Sequence, residues 1–393
     1  MSEELAKLVL DHVSEEEVVG FCRDLVRAAS ENPPGDERNV AETSRELLGR
    51  LGLGADFVEP LPGRISTVSA WGEGPRTLLF NGHYDVVPAP EPEEWPFPPF
   101  AAEVSEGKLY GRGATDMKAG IAACLAAVSA LQRAGVRPQG KLLMHFVADE
   151  EALGTHGSKY LVANGYCEGV TEALVGEPTA MHLVPAERGA VWLRIITRGR
   201  SAHGSTPHLG VNAIGHMARV IEAVNGMRFR KLHEMLGSPT VNVGTIHGGQ
   251  KVNMVPDRCE IEIDRRTIPG ETVEEVVGEF EAALEPLHQE IEDFNTRIEV
   301  DDFAEASETP DGTTLVSLLD EARQAFRIDG SEIGYSGATD ARFLINQGKI
   351  PSIVFGPGDV LLAHTTGEYV EVDQLVQATR AYAYAFARFL EVT

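Results

Sequence analysis

Continuous apolar runs alternate with helix-like periodicity through the first half of the chain. The runs are ISTVSAW (65–71), TLLFNG (77–82), KLLMHFVA (141–148) and EALVGE (172–177), with helical patterns at 117–135 and 157–165. Strands that are apolar along their whole length are typical of parallel sheets covered by helices on both faces. The pattern therefore predicts an α/β domain with a mixed, largely parallel sheet flanked by helices.

Near the amino end, the sequence carries a helix-start signal. Ser14 stands three residues before Glu17, which predicts a capping box. The apolar positions that follow share one helical face; they are Val18, Cys22, Leu25 and Val26. We expect an amphipathic helix from this point.

The pattern changes near residue 187. Strand-like and helix-like segments follow in the order βαββαβ, at 189–200, 210–227, 240–249, 258–267, 271–291 and 296–300. This order is typical of a ferredoxin-like domain. Helical and apolar segments at 314–326, 338–348, 350–358 and from about residue 373 then resume the α/β alternation. We therefore predict a first domain formed by 1–186 and 304–393, with an inserted domain at 187–303.

Composition narrows the classes of function. At 393 residues, with 43% hydrophobic and 24% charged residues, the chain is long enough for two globular domains. A net charge of −26 argues against nucleic acid or an anionic membrane as a partner. Neither an apolar run of about eighteen residues nor a secretory leader stands out, which predicts a cytoplasmic protein. The four cysteines lie far apart and are expected to be core thiols.

Two polar residues end the apolar run TLLF. His83 and Asp85 are two positions apart, so strand alternation sends both side chains to the same side. A carboxylate at that spacing can orient an imidazole that binds a metal. The alternative is a hydrogen-bonded surface pair without a ligand. Ligands in open α/β sheets gather at the carboxyl ends of strands, which is where this pair stands.

Further possible metal ligands follow other predicted strands and turns. Asp116 lies where GRGATDMKAG enters a helix, and could instead be an N-cap. Glu177 ends an apolar run, and His364 follows the turn GPGD. Together with Glu151 after KLLMHFVA, they complete a set of two histidines and three carboxylates. This set suits two divalent ions, with zinc favoured by imidazole and cobalt or manganese admitted by the oxygens.

Three consecutive acids, Asp149, Glu150 and Glu151, follow KLLMHFVA. They could form a solvated turn that opens the next helix, since acids favour the positive end of a helix. If Glu151 binds a metal ion instead, Glu150 stays free to accept a proton from the attacking water and pass it to a leaving nitrogen. Nearby dications would offset the repulsion among the acids.

With these residues assembled, the chain resembles the co-catalytic metallopeptidases that include acetylornithine deacetylase, succinyl-diaminopimelate desuccinylase, aminoacylase and bacterial glutamate carboxypeptidase. The similarity covers nearly the whole chain. The motifs that carry it are GHYDVVP, GRGATDMKAG, ADEEALGT, GEPT, SAHGSTPHLGVNAI, DRRTIPGE, and GATDAR followed by AHTTGEYV. SGATDAR is one residue shorter than the GGTSDGR-type stretch of desuccinylases and matches the broader family form.

The resemblance implies a role for each residue of the metal set. Asp116 bridges two ions, His83 and Glu177 complete one, and Glu151 and His364 complete the other. It further implies that Asp85 orients His83, that Glu150 is the general base, and that the peptide bond between Asp116 and Met117 is cis.

The inserted domain carries further candidates. The resemblance implies that His203 acts from the partner subunit of a homodimer and binds the oxyanion, although its loop-like surroundings also suit an exposed structural histidine. Asn253 and Arg266 match positions that hold a substrate carboxylate, with Arg188 and Thr339 as further candidates. In this view the inserted domain is a lid and dimerisation domain.

The sequence therefore predicts a binuclear amidohydrolase that removes a small acyl group from an N-acyl amino acid or diamino acid. The alternative within the same chemistry is a metallo-exopeptidase, either a dipeptidase or a glutamate-releasing carboxypeptidase. A non-catalytic binder on the same scaffold is expected to have lost the general base or a ligand, and this sequence has lost neither. The loop EPEEWPFPPF (91–100) could shape substrate access or form a rigid packed loop.

Overall fold

The computed structural model describes residues 2–90 and 92–391 and shows a mixed β-sheet in the first part of the chain. The strands of the chain are β1 Asp56–Leu61, β2 Arg64–Trp71, β3 Thr77–His83, β4 Glu103–Ser105, β5 Lys108–Tyr110, β6 Lys141–Val147, β7 Val170–Val175, β8 Leu183–Glu187, β9 Gly189–Arg198, β10 Thr240–Gly248, β11 Arg258–Thr267, β12 Asn295–Ala304, β13 Ser307–Glu308, β14 Glu332–Tyr335, β15 Ser352–Val354 and β16 Tyr369–Glu371.

Helices connect and cover these strands. They are α1 Ser2–His12, α2 Glu15–Arg27, α3 Arg38–Arg50, α4 Ala119–Arg133, α5 Ser158–Ala163, α6 Ala213–Asn225, α7 Val273–Glu290, α8 Thr314–Phe326, α9 Ala341–Asn346 and α10 Val372–Phe389. Among the described residues, the chain divides into two units. The first runs to Pro185 and includes Thr309–Ile333 and the residues from Thr339 onwards; the second comprises Ala186–Glu308 and Gly334–Ala338. The predicted inserted domain, 187–303, falls within the second unit.

The sheet of the first unit has the order β1-β2-β6-β3-β7-β15-β8. Its four central strands, β6, β3, β7 and β15, are parallel, whereas β1, β2 and β8 add antiparallel pairings at the sides. Every residue of β3 is buried, which explains its continuous apolar sequence. Because β6, β3 and β7 run in the same direction, their carboxyl ends meet at one edge of the sheet. The predicted α/β fold with a largely parallel sheet is confirmed.

The core of the first unit is built around α4. Its residues from Ala119 to Leu131 are all buried, and it packs against α2 and α10. Within the described chain, one stretch, 114–133, is long and apolar enough to cross a membrane, and 94% of its most apolar window is buried inside the protein. The expectation that no such run exists is therefore wrong for this stretch. Its burial is that of a core helix, which accounts for its apolar composition.

The second unit contains a four-stranded antiparallel sheet of order β10-β11-β9-β12. Residues from alternate positions of β9 and β11 pack against α6 and α7 in a separate core. The chain order β9-α6-β10-β11-α7-β12 is the predicted βαββαβ arrangement, which is confirmed. A β-bulge between Val243 and Thr245 interrupts the pairing of β10 with β11.

Several local expectations need correction. Ser14 caps the predicted helix, α2, by accepting a hydrogen bond from the Glu17 backbone N–H, but another helix, α1, precedes it. The predicted strand 172–177 ends at Val175, so Glu177 lies in the following loop. The short strands β4, β13 and β16 were not predicted, because two or three residues are too few to show a periodicity.

Candidate metal centre

The carboxyl-terminal edge of the parallel sheet brings six acidic and imidazole side chains together. They form two groups, each with ligand atoms within 4.8 Å of one another: His83, Glu150 and Glu177, and Asp116, Glu151 and His364. His83 ends β3, the two adjacent glutamates follow β6, and Glu177 follows β7. Asp116 precedes α4, and His364 lies in the loop before β16.

Asp116, a member of the second group, also contacts the first. Its Oδ1 is 3.0 Å from His83 Nε2, and its Oδ2 is 3.5 Å from His364 Nε2. Glu177 Oε1 is 3.5 Å from His83 Nε2, and Glu151 Oε1 is 3.2 Å from His364 Nε2. Each histidine therefore faces one oxygen of Asp116 and one further carboxylate, an arrangement suited to a carboxylate shared by two cations. The peptide bond between Asp116 and Met117 is cis, which confirms that expectation.

Asp85 orients His83 and binds the turn that follows β6. His83 Nδ1 donates to the carbonyl oxygen of Asp85 at 2.9 Å, and the Asp85 carboxylate lies 3.5 Å from the same nitrogen. The two carboxylate oxygens accept hydrogen bonds from the N–H groups of Glu150 and Glu151, each at 3.1 Å. The side-chain amide of Asn32 donates to Asp85 at 2.8 Å. Asp85 thus links β3 to the turn that carries both glutamates.

The three consecutive acids point to different partners. Asp149, in the left-handed region with φ +69°, accepts the His156 N–H at 2.9 Å and lies 3.3 Å from the Arg64 guanidinium. Arg64, which also pairs with Glu37 at 2.6 Å, brings a cation from β2 to Asp149 and reduces the repulsion in the acidic run. The side chains of Glu150 and Glu151 are only 13% and 8% exposed. The acids therefore do not form the solvated turn that the alternative interpretation required.

The carboxylates of the cluster are crowded and buried. Burial raises the pKa of Glu177 to about 8. Burial also raises the pKa of Glu150 well above the usual range, and burial together with the Asp116 charge raises that of Glu151. Burial opposes ionisation of Asp116 as well, but hydrogen bonds from His364 and His83 lower its pKa. In the absence of cations, ionising all these acids is costly.

The histidines show the complementary shift. Burial lowers the pKa of His83, but the Glu177 charge and hydrogen bonds to Asp116 and Asp85 outweigh it, so the pKa is well above its usual range. Hydrogen bonds to Asp116 and Glu151 raise the pKa of His364 to about 10. The raised pKa values of the two histidines and of Glu177 show that the cluster favours added positive charge. The donor set and this demand for positive charge fit divalent cations.

The residues proposed for the inserted domain lie in the second unit. The loops of His203 and Asn253 are joined by a hydrogen bond from the Gly204 N–H to the Asn253 carbonyl at 2.8 Å, and both residues are exposed. The Ser205 N–H donates to His203 Nδ1 at 3.2 Å. Because a backbone N–H is always a donor, this contact makes Nδ1 the acceptor, and the proton of the neutral ring lies on Nε2.

The arginine candidates have partners already. Arg266 lies 3.0 Å from Asp264 on the same strand, whereas Arg265 is fully buried and pairs with Glu271 at 2.8 Å. The Arg188 guanidinium donates to the carbonyls of Leu236 and Ser238. Thr339, in the first unit, is 2% exposed, and its hydroxyl accepts the Ala341 N–H at the start of α9.

Sequence reasoning missed several charged and polar residues around the centre. Arg342 is 3% exposed and lies 3.7 Å from Glu150 Oε1. Arg342 ends the motif GATDAR, so the sequence could have marked it as a candidate. Its contact with Glu150 could not be predicted from the motif. Arg64 and Asn32 come from segments that carry no metal-ligand pattern. Glu368, in AHTTGEYV, is fully buried and binds the segment that carries Asp116.

The described part of the aromatic loop, 92–100, packs against the protein. Trp95 is 7% exposed and lies under the Arg112 guanidinium, 4.9 Å from the ring centre. Phe97 contacts Tyr110 with ring centres 5.2 Å apart. These contacts are those of a packed loop.

Comparison with known proteins agrees with the geometry. Residues 79–388 match peptidase family M20/M25/M40. A probable succinyl-diaminopimelate desuccinylase of Staphylococcus epidermidis is 27% identical and covers 96% of this chain and 99% of its own. An N-formyl-4-amino-5-aminomethyl-2-methylpyrimidine deformylase of Halalkalibacterium halodurans is 30% identical, over 95% of this chain and 94% of its own.

Solved structures share the fold. The aminopeptidase PepT of Bacillus cereus superimposes with a TM-score of 0.80 at 21% identity, covering 96% of this chain and 100% of its own. A dinuclear metal binding peptidase of the M20 family from Bacillus subtilis gives a TM-score of 0.74 at 17% identity, over 96% and 98% of the two chains. The chain belongs to peptidase family M20/M25/M40 and is a metal-dependent hydrolase that acts on amides.

Proposed function

We propose that this protein removes a small acyl group from the nitrogen of an amino acid or diamino acid that keeps a free carboxylate. The observation that carries the proposal is the position of Asp116, whose two oxygens face His83 and His364 separately. The names of the two relatives, a desuccinylase and a deformylase, support loss of a small acyl group.

Two divalent ions, zinc by preference and cobalt or manganese as alternatives, complete the proposed site. Asp116 would hold both ions, His83 and Glu177 one of them, and Glu151 and His364 the other. When bound, such ions polarise an amide carbonyl and lower the pKa of a water molecule. Three carboxylates also balance most of the charge of two dications.

The remaining roles fall to protein side chains. Glu150, which lies in the group with His83 and Glu177 and 3.7 Å from Arg342, accepts the proton of the attacking water and delivers it to the leaving nitrogen. Asp85 fixes His83 and the turn of both glutamates. His203 donates from Nε2 to the oxyanion. Arg266, which also pairs with Asp264, and Asn253 hold the substrate carboxylate. Arg188 and Thr339 are weaker candidates, and both bond to backbone groups.

The proposal extends to assembly and location. We propose that the second unit, which contains the predicted domain 187–303, serves as a lid and joins two copies in a homodimer, so that His203 serves the partner's site. A small molecule is then the substrate, and nucleic acid and membranes are not partners, in keeping with the net charge of −26. We also propose a cytoplasmic location, because the one long apolar stretch among the described residues, 114–133, is mostly buried inside the protein.

The test is a panel of amide substrates with defined metals. Chelator-treated protein is reconstituted with zinc, cobalt or manganese and assayed on N-acetyl amino acids, N-succinyl diamino acids, N-formyl amines and dipeptides. We expect turnover of one N-acyl class that disappears with chelator and returns with metal. Turnover unaffected by thorough metal removal would refute the proposal.

The alternative is a metallo-exopeptidase. The similarity of fold to the Bacillus cereus aminopeptidase, with a TM-score of 0.80, supports this alternative. The same panel separates the two, since an exopeptidase prefers dipeptides over every N-acyl amino acid.

A further inference from the structure

The carboxylate of Glu368 connects two segments of the candidate metal centre. Glu368 lies four residues after His364 and is fully buried. Its Oε1 accepts the N–H groups of Thr115 at 3.0 Å and Asp116 at 3.2 Å. Its own carbonyl accepts the N–H of Gly111 at 3.0 Å. The segment that leads away from His364 is therefore bound to the segment that presents Asp116.

The charge of Glu368 is neutralised on the side away from Asp116. Arg112 Nη1 lies 2.5 Å from Glu368 Oε2, and the Arg112 side chain is 2% exposed. The Trp95 ring lies 4.9 Å from this guanidinium. Both oxygens of Glu368 accept hydrogen bonds, and among the described residues Glu368 belongs to neither group of possible metal ligands. A carboxylate that accepts two backbone N–H groups forms strong, charge-assisted hydrogen bonds.

We propose that Glu368 is a positioning residue for the metal centre, holding the backbone of Thr115 and Asp116 so that the two Asp116 oxygens face His83 and His364. The inference rests on the proposed function, because it assigns Asp116 to both metal ions. The neighbouring contact has the same effect, since the Thr115 hydroxyl donates to the Tyr369 carbonyl at 2.5 Å. A group that orients a metal ligand typically changes metal affinity by about 10- to 100-fold when it is mutated.

The test replaces the carboxylate without changing its size. Cobalt(II) is titrated into the chelator-treated full-length protein, and its affinity, stoichiometry and visible absorption spectrum are recorded. We expect Glu368→Gln to bind cobalt about 10- to 100-fold more weakly and with an altered spectrum. The matched control is Glu371→Gln, a carboxylate three residues further on that pairs with Lys108 at 3.7 Å and is 43% exposed. We expect this control to bind cobalt like the wild type.

A purely structural role is separated by folding measurements. The unfolding of the metal-free variants is recorded, and affinity is compared for the folded fraction only. A folded Glu368→Gln protein with wild-type affinity, stoichiometry and spectrum overturns the inference. If instead the wild type binds no cobalt, the proposed function fails, whatever Glu368 does.

A second measurement applies if Glu368→Gln does not fold. Hydrogen exchange of peptides that cover 114–118 is measured in the metal-free wild type. We expect the Thr115 and Asp116 amides to be protected, because Glu368 holds them before any metal is present. Rapid exchange of both amides in the metal-free protein would overturn the inference.

Discussion

The two units of this protein hold their candidate functional residues in different ways. In the first unit, His83 and Asp85 are buried, and Asp85 accepts hydrogen bonds from the backbone of Glu150 and Glu151. In the second unit, His203 and its neighbours are exposed and make local contacts within their loops. The hydrogen bonds in the first unit hold its side chains in position before a metal ion binds. The exposed side chains of the second unit have fewer such restraints. Substitutions of the proposed metal ligands in the first unit, and of the residues that hold them, should therefore affect metal binding, whereas substitution of His203 in the second unit should affect turnover alone.

The largest expected effect concerns Glu150, the one acid of the cluster to which we assign no metal. Glu150→Ala should lower kcat by about 10²- to 10⁴-fold, because a general base is lost. Metal content, measured by elemental analysis, should stay at two ions. The exposed Glu103 on β4 provides the control, and Glu103→Ala should leave kcat unchanged.

Loss of one ion from Glu150→Ala would instead make Glu150 a ligand. The geometry makes this a real alternative, because Glu150 lies in one group with His83 and Glu177. Full turnover in the variant would contradict both assignments.

Residues at strand ends were predictable because their positions follow from the sheet. His83 and Glu177 come directly after apolar segments, and parallel strands end at a common edge. The βαββαβ order of the second unit was also predictable, since its segments are long enough to show their periods. The sequence thus predicted the central parallel strands and the set of side chains that the structure brings together.

The partners of those residues could not be predicted in the same way. Arg64 and Asn32 reach Asp149 and Asp85 from far along the chain, and no local pattern marks such pairs. Glu368 stood in a quoted motif, but its contact with the Asp116 backbone depends on the packing of two loops. Short strands such as β13 were missed for a similar reason, because pairing rather than propensity forms them.

The next largest effect is expected for His203 in the second unit. His203→Ala should lower kcat by about 10²- to 10³-fold, the usual loss for one oxyanion donor. Metal affinity should stay unchanged, since His203 lies outside the metal set. His208→Ala, five residues on and also exposed, is the matched control and should keep full activity. A fall in metal content in His203→Ala would contradict the view that only the first unit holds the metal ions.

A mixing experiment tests whether His203 serves a partner. Proteins carrying His203→Ala and Glu150→Ala are expected to have strongly lowered activity alone, and each retains the residue that the other lacks. If the site is shared, mixed dimers should recover about one active site per heterodimer. No recovery after demonstrated subunit exchange would show that His203 acts within its own chain or not at all.

A smaller effect is expected for Asp85→Asn in the first unit. The substitution removes a buried charge that accepts three hydrogen bonds and should weaken metal binding by about 10- to 100-fold. Asp264→Asn is the corresponding change in the second unit, where Asp264 pairs with Arg266. Calorimetric titration with zinc should show wild-type affinity for that variant. Equal weakening in both variants would mean that the effect is not specific to the metal centre.

The smallest effect concerns a buried histidine that has no part in the site. His145, in β6, is 1% exposed, its Nε2 has no hydrogen-bond partner, and burial lowers its pKa to about 3. Below pH 6.5 the unfolded chain takes up a proton that folded His145 does not accept until about pH 3. The free energy of unfolding should therefore fall by roughly 1 kcal/mol for each pH unit below 6.5 because of this group.

His145→Gln should remove this slope, although buried glutamine lowers stability at neutral pH. Urea unfolding of metal-free protein at pH 5, 6 and 7 should then show the wild type losing stability relative to the variant as the pH falls. The exposed His247 on β10 gives the matched control, His247→Gln, whose difference from the wild type should stay constant with pH. If the difference in unfolding free energy between His145→Gln and the wild type also stays constant with pH, His145 takes up its proton in the folded state as readily as in the unfolded chain. Burial without a hydrogen-bond partner would then not keep this histidine neutral.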